Sequence, residues 1–226
     1  MKTLIIVPAY NEEESLEATV RNIHMHCPQI DFIIVNDGST DCTADICRNK
    51  NYPLLDLPVN LGLAGAFQAG MRFAYEKGYD AAIQIDADGQ HDAAYIMPML
   101  EKLNDSGADI VIGSRFLSKR KPHTMRTLGS SLLSFAILIT AHKYIGDPTS
   151  GMRLYNKKMV NLFANNINFG PEPDTIAYLI RKGCSVEEFQ VEMHDRTAGQ
   201  SYLSPFRSVK YMVNMFVSIL LVQFFR

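Results

Sequence analysis

"IQIDADGQHD", residues 83–92, follows an apolar, strand-like step with two carboxylates, an amide and an imidazole: Asp86, Asp88, Gln90 and His91. Asp-Gly pairs are ordinary turn formers, so a plain polar turn explains part of the stretch. Asp86 and Asp88 are separated by one residue, so they share a face on a continuing strand, and in a turn both can reach one cation. Hard divalent ions favour such oxygen ligands, and substrate phosphates commonly complete their coordination. The surrounding sequence decides between a turn and a metal–phosphate site.

Short, unalternated apolar runs at Thr3–Val7, Phe32–Val35, Ala81–Ile85 and Ile110–Ile112 read as parallel strands buried on both faces. Between them Leu16, Val20 and Ile23 recur at helical intervals, as do Ala66, Ala69, Phe73 and Ala74. Residues 93–103 form a further helix, with Asp92 able to cap it and Pro98 tolerated in its early turns. This alternation up to about residue 113 predicts an open α/β sheet. Ligands of such sheets bind at the carboxyl ends of the strands. Here those ends are polar: "PAYNEE" (8–13), "NDGSTD" (36–41), "DADGQHD" (86–92) and "GSRF" (113–116). The second half is less regular. It holds a basic loop at 118–126, a long apolar helix at 128–144, a Gly/Pro/Asp-rich turn at 146–156, a helix stopped at Gly183, a strand-like stretch within 184–194 and a polar loop at 195–201.

Each candidate has a bland reading beside the chemical one. His91 can orient Asp88 from behind or cap the next helix rather than bind an ion. The six histidines lack zinc-type spacing. Asp37 either shapes a turn or accepts a hydrogen bond from a nucleobase or ribose. "NLGLAGAF" (60–67) is neither the dinucleotide fingerprint nor a phosphate loop, and its glycines either approach a ligand or let a helix pack closely. Arg115, Arg126, Arg153 and Arg196 can offer paired donors to phosphate oxygens. Asp147, Glu172 and Asp174 are the leading carboxylates for general-base work, and each can instead cap a turn or helix.

The charge balance, 22 Lys plus Arg against 24 Asp plus Glu, does not call for nucleic acid as a partner. The four cysteines form no Cys-x-x-Cys pair and read as free thiols of a reducing compartment. The apolar start meets Pro8 and three glutamates too early for a signal peptide, so a buried first strand and a cytoplasmic catalytic region are expected. Residues 209–225 are nearly all apolar, at the lower limit of a spanning helix. Lys210, Asn214 and Ser218 recur at helical spacing, which leaves a broad oily flank for a membrane interface or a membrane partner, or for the protein's own core or a dimer interface.

Taken in order, "VPAYNEE" (7–13), "VNDGSTD" (35–41), "NLGLAGA" (60–66), "DADGQH" (86–91), "GSRF" (113–116), "DPTSGMRLY" (147–155) and "RTAGQS" (196–201) resemble a family 2 glycosyltransferase with the GT-A fold, within it the polyprenyl- or dolichyl-phosphate sugar synthases. The resemblance implies a mostly parallel sheet flanked by helices, with residues 1–207 as the GT-A domain and 208–226 as an apolar or amphipathic C-terminal helix. It implies metal-dependent, inverting transfer of a hexose from a UDP- or GDP-sugar. Pro8, Tyr10, Glu12 and Asp37 would cradle the nucleoside, Asp86 would approach the ribose and metal, and Asp88 and Gln90 would hold Mg²⁺ or Mn²⁺. Arg196 would meet the diphosphate, with Ser201 of the same loop among the donor-binding residues. Asp147 would lie near the reacting sugar, and Arg115 and Arg126 would face an acceptor phosphate. Two positions depart from the branch: Tyr202 replaces its usual Lys, and Pro173 interrupts what is normally a plain helix start.

The implied partners are the sugar donor, a polyprenyl phosphate or lipid-linked glycan acceptor, and the cytoplasmic face of a membrane, with a membrane protein or a second copy of the chain also compatible. A transferase extending a lipid-linked or surface polysaccharide is the alternative enzyme. A nucleotidyltransferase would need a Gly/Lys-rich phosphate loop that the sequence lacks, and a non-catalytic, membrane-associated scaffold is the alternative outside enzymes.

Overall fold

All seven residues of the first strand, β1 (Thr3–Ala9), are buried, as its unbroken apolar run requires of a strand covered on both faces. The computed structural model describes residues 1–119, 121–122, 124–166, 169–194 and 205–221, without the side chains at 125, 126 and 205–209. After β1 come α1 (Leu16–His26), β2 (Asp31–Asn36), α2 (Thr43–Asn49), β3 (Leu54–Asp56), α3 (Gly62–Glu76) and β4 (Ala81–Gln84). A 3₁₀ turn (Ala93–Tyr95) leads into α4 (Ile96–Ser106) and β5 (Ile110–Ser114). The chain continues with α5 (Met125–Ala141), β6 (Arg153–Asn156), α6 (Lys157–Asn165), α7 (Pro173–Arg181), β7 (Val186–Gln190) and α8 (Pro205–Leu220).

The seven strands form one sheet in the order β3-β2-β1-β4-β6-β5-β7. Only β6 runs against its neighbours, β4 and β5. The ends of β1, β2, β4 and β5 therefore lie along one edge, the rim on which α/β sheets carry ligands. Successive side chains alternate between two apolar layers. Leu4, Ile6, Ala82, Ile110, Ile112 and Tyr155 face one layer with Phe67, Phe163 and Ile176. Ile5, Val7, Ile83, Val111 and Leu154 face the other with Leu16, Val20 and Met99. On the first face Gly70 of α3 lies so close to β1 that a Cβ there would stand 2.4 Å from Ile6 Cγ2.

Three local readings change. The segment 146–156 is a turn only in its first half, because Arg153–Asn156 form β6 in the middle of the sheet. Four residues after a Gly/Pro-rich turn carry too short a pattern to announce a strand. The stretches 43–49 and 54–56, not assigned from periodicity, are α2 and β3. Pro173 opens α7 at its first residue, where the missing N–H costs nothing. As expected, Asp92 caps the turn before α4, accepting from Ala94 N at 3.0 Å, and Gly183 stops α7 with φ +83°.

The inner flank of α8 covers the protein's own core: Ile219 is fully buried, and Met212, Met215, Phe216 and Leu220 pack beside it. Its outer flank exposes Val213, Val217 and Leu221. Beside it α5 exposes Leu128, Leu132, Phe135 and Ile139, each more than half exposed. Their spacing of four, three and four residues places them on one stripe of α5. Among the described residues no helix is long and apolar enough to cross a membrane.

Candidate active site

The rim is built by loops that hold one another. Asn11, with φ +56°, turns the chain after β1. Asn11 N donates to Ser39 Oγ at 2.9 Å, Thr40 N to Asn11 Oδ1 at 2.8 Å, and Glu12 N to Thr43 Oγ1 at 2.9 Å. These bonds lace the Pro8–Tyr10–Glu12 segment to the loop after β2. Asp37, 3% exposed, accepts from Leu61 N at 2.7 Å and so fastens the glycine-rich segment to the same place. Gly38 makes that approach possible: its φ is +65°, and a Cβ would stand 2.7 Å from Asn60 N and Val59 C.

The 86–91 turn is equally defined. Gln84 Nε2 donates to Asp86 Oδ1 at 3.1 Å, and Gln90 N to Asp88 Oδ1 at 3.0 Å. Thr19 Oγ1 holds the Ala87 carbonyl at 3.0 Å. Asp88 is nearly closed off at 4% exposed, while Gly89 reverses the chain with φ +75°. His91 is buried and accepts at Nδ1 from Asp86 N at 2.8 Å. An accepting Nδ1 carries no proton, so the imidazole proton sits on Nε2 and the 3.9 Å approach of Nδ1 to Asp86 Oδ2 is not an ion pair. His91 thus fixes the turn through its backbone. Gly151 closes the turn from the far side: a Cβ there would stand 2.6 Å from Asp86 Oδ2 and 3.2 Å from His91 Cε1.

Among the described residues no group of three or more His, Cys, Asp or Glu side chains converges on a metal position. Two carboxylates and one amide instead offer a partial set of hard oxygen donors. That set suits an ion such as Mg²⁺ or Mn²⁺, which retains waters and takes phosphate oxygens from a ligand.

Arg115 and Asp147 form a forked pair, Nε to Oδ2 at 2.7 Å and Nη2 to Oδ1 at 2.9 Å. Asp147 is 0% exposed, and Thr149 Oγ1 also donates to it. Burial by itself would lower the Arg115 pKa; the Asp147 carboxylate outweighs burial and holds it above its ordinary value. Both oxygens of Asp147 are therefore engaged, which leaves it poorly placed to take up a proton. Glu188 secures the same loop by accepting from Gly146 N and Asp147 N at 2.7 and 3.0 Å.

Lys121, which sequence reasoning did not single out from its basic loop, donates to Ser130 Oγ at 3.2 Å and Ser134 Oγ at 3.5 Å on α5. Burial pushes its pKa down although Asp147 and Glu188 pull the other way. A cavity of about 250 Å³ beside Arg115 is lined by Lys119, Val191, Glu192 and Met193.

The other two base candidates have partners on α8. The Tyr211 hydroxyl donates to Glu172 Oε2, and Ser218 Oγ donates to Asp174 Oδ2 at 2.7 Å. Burial and, after it, the Glu172 carboxylate drive the Tyr211 pKa well above its usual value. Arg196 and Ser201, with Tyr202, lie outside the described residues, as does the Arg126 side chain.

The sequence model of Glycosyl transferase family 2 matches residues 4–163. Polyprenol monophosphomannose synthase of Mycolicibacterium smegmatis is 28% identical, across 90% of this chain and 81% of that protein. Undecaprenyl-phosphate mannosyltransferase of Micrococcus luteus is 30% identical, across 90% of this chain and 88% of that protein. Glucosyl-3-phosphoglycerate synthase from Mycobacterium tuberculosis, solved with Mn²⁺, UDP and phosphoglyceric acid, matches 98% of this chain and 78% of its own at 16% identity, with a TM-score of 0.70. That likeness shows the shared GT-A α/β fold. With the family match spanning most of its length, the chain belongs to glycosyl transferase family 2 and is a glycosyltransferase.

Proposed function

We propose that the chain transfers a hexose, with inversion, from a UDP- or GDP-sugar to a polyprenyl phosphate at the cytoplasmic face of a membrane. One observation carries the choice of acceptor. Lys121, beside the Arg115–Asp147 pair, is joined through Ser130 and Ser134 to α5, whose opposite side exposes an apolar stripe. A ligand with a phosphate head and a hydrocarbon tail matches that sequence of surfaces. The names of the two relatives, a polyprenol monophosphomannose synthase and an undecaprenyl-phosphate mannosyltransferase, support the same reading.

In this reading Pro8, Tyr10, Glu12 and Asp37 hold the nucleoside, and Arg196, with Ser201, the diphosphate. Asp86, Asp88 and Gln90 would hold Mg²⁺ or Mn²⁺, which when bound neutralises charge on the diphosphate. An oxygen of the acceptor phosphate forms the new bond to the anomeric carbon as the carbon–diphosphate bond breaks, and that electron pair leaves with the nucleoside diphosphate. Attack opposite the leaving group inverts the centre. A phosphate monoester is ionised near neutrality, so the nucleophile needs orientation by Arg115, Arg126 and Lys121 rather than a base. The engagement of Asp147 by Arg115 agrees with a reaction that asks for no base.

Transfer to a glycan hydroxyl, the second reading, would need Glu172 or Asp174 as base, and both are hydrogen-bonded to α8. An assay crossing UDP- and GDP-hexoses with polyprenyl phosphate and a glycan acceptor, with Mn²⁺ or Mg²⁺, separates the two. Product is expected only on the lipid phosphate; product only on the glycan would overturn the proposal.

A further inference from the structure

Arg153 is among the largest fully buried side chains of the protein, at 1% exposed, and among the described residues its guanidinium bonds to carbonyls rather than to a carboxylate. Its described hydrogen bonds go to main-chain carbonyls: Nε to Ser150 O at 2.9 Å, Nη2 to Pro148 O at 2.7 Å and Nη1 to Glu172 O at 3.5 Å. Burying a guanidinium without an ion-pair partner is expensive, and its hydrogen bonds to carbonyls offset only part of that cost. Those three carbonyls lie in the two segments that border the site. Pro148 and Ser150 belong to the 147–152 loop, which presents Asp147 to Arg115 at one end and Gly151 to Asp86 and His91 at the other. Glu172 precedes α7 and holds Tyr211 of α8.

Arg153 also stands directly opposite Gln84 on β4. Side chains opposite one another in an antiparallel pair share a face, and Gln84 donates to Asp86 Oδ1. On that face the Gln84 Oε1 and Tyr155 hydroxyl oxygens are both buried, Gln84 Oε1 without a hydrogen-bond partner and the Tyr155 hydroxyl within reach of the Arg153 guanidinium. A fork with five donors beside two such oxygens is a polar device inside the core, set directly behind the Asp86 turn.

We propose that Arg153 is a positioning residue for the donor site: its guanidinium fork pins the 147–152 loop so that Gly151 backs Asp86 while Asp147 backs Arg115. The fork matters more than the charge, because three carbonyls in different directions require donors spread over a rigid plane. An ammonium concentrates its donors at one point and cannot span them. The inference rests on the donor site described under the proposed function.

The test is calorimetric binding of UDP and of GDP with Mn²⁺ present, together with thermal unfolding without metal. The proteins compared are the full-length chain, Arg153→Lys and Gly151→Ala. Gly151→Ala leaves Arg153 and the core intact but puts a methyl group where the Asp86 carboxylate lies. Both variants are expected to lose Mn²⁺-dependent nucleotide affinity by ~10–100-fold, the usual effect of removing support behind a metal ligand. Gly151→Ala should do so with little change in its melting temperature. Wild-type affinity in a folded Arg153→Lys overturns the proposal, as does wild-type affinity in Gly151→Ala. If Arg153→Lys fails to fold, Arg153→Gln, which keeps a planar pair of donors on a shorter stem, takes its place with the same two outcomes. Should the unsubstituted chain bind neither nucleotide with Mn²⁺, the donor-site reading falls and this inference with it.

Discussion

Asp88 is the residue on which the donor-site reading is most exposed to test. It is almost fully buried, and its Oδ1 closes a tight turn onto Gln90 N, so it has a structural task as well as a proposed metal-binding one. Asp88→Ala is expected to lower metal-dependent sugar transfer by at least ~100-fold, the scale of several kcal/mol of lost charge stabilisation. Circular dichroism should report an intact fold, and turnover equal to wild type would remove Asp88 from the site. Residue chemistry was legible in the sequence where a polar cluster ended an apolar strand, which is how Asp37, Asp86, Asp88 and Arg115 stood out. What the sequence concealed was which of these side chains already had partners. The pairing of Arg115 with Asp147 joins positions 32 residues apart. Lys121 resembled any other cation of a basic loop until its neighbours on α5 were known. Arg153, one of four arginines read as either a surface charge or a donor to phosphate oxygens, lies instead inside the core.

At the scale of elements, α3 and β1 approach so closely that two familiar effects oppose each other at Gly70. Alanine would favour the helix by about 1 kcal/mol over glycine. Its methyl group would stand 2.4 Å from Ile6 Cγ2, on a fully buried β-branched side chain within a strand. Overpacking of this kind costs ~1–3 kcal/mol, so Gly70→Ala is expected to destabilise the protein in urea unfolding, against helix propensity. Asp109, just before β5, ties the end of β6, α6 and the residue before β7 together by accepting from Asn156 Nδ2, Lys158 Nζ and Ser185 N, each at 3.0 Å. Burial alone would raise its pKa; those donors outweigh it and hold the carboxyl below its ordinary value. A depressed carboxylate contributes stability that is present above the unfolded pKa, about 3.9, and is lost as pH falls through the folded value. Asp109→Asn should therefore show a smaller loss of melting temperature than wild type on acidification below about pH 4. An unchanged acid limb would contradict that role. The parallel strands β1, β2, β4 and β5 were readable because burial on both faces leaves continuous apolar runs, whereas the three-residue, half-buried β3 leaves none. The antiparallel β6 was not, because four residues after a Gly/Pro turn leave no period to read.

Across the whole molecule, α5 and α8 pack against each other, and each turns apolar side chains outward. From sequence alone, the oily C-terminal segment carries the membrane expectation by itself, and deleting it looks like the obvious test. The structure makes that deletion ambiguous: removing α8 would take Ile219, Met215 and Phe216 out of the core and would remove the α8 partners of Glu172 and Asp174. Exposed positions give a cleaner experiment. Leu132 and Phe135 of α5 and Val217 of α8 are 51%, 56% and 44% exposed, so changing them leaves the core untouched. Fully burying one such side chain in an apolar phase is worth roughly 1.5–3 kcal/mol. Half-exposed side chains at an interface recover part of that, so each should contribute several-fold to about tenfold in vesicle affinity. The triple change Leu132→Gln, Phe135→Gln, Val217→Gln is expected to move the protein from the pelleted to the free fraction in co-sedimentation with phospholipid vesicles. Its melting temperature should hold, and so should turnover on a short-chain, water-soluble prenyl phosphate. A selective loss on long-chain acceptor would place the lipid tail or the bilayer against this face. Equal vesicle binding by the wild-type and triple-substituted proteins would instead assign the face to a protein partner or to a second copy of the chain.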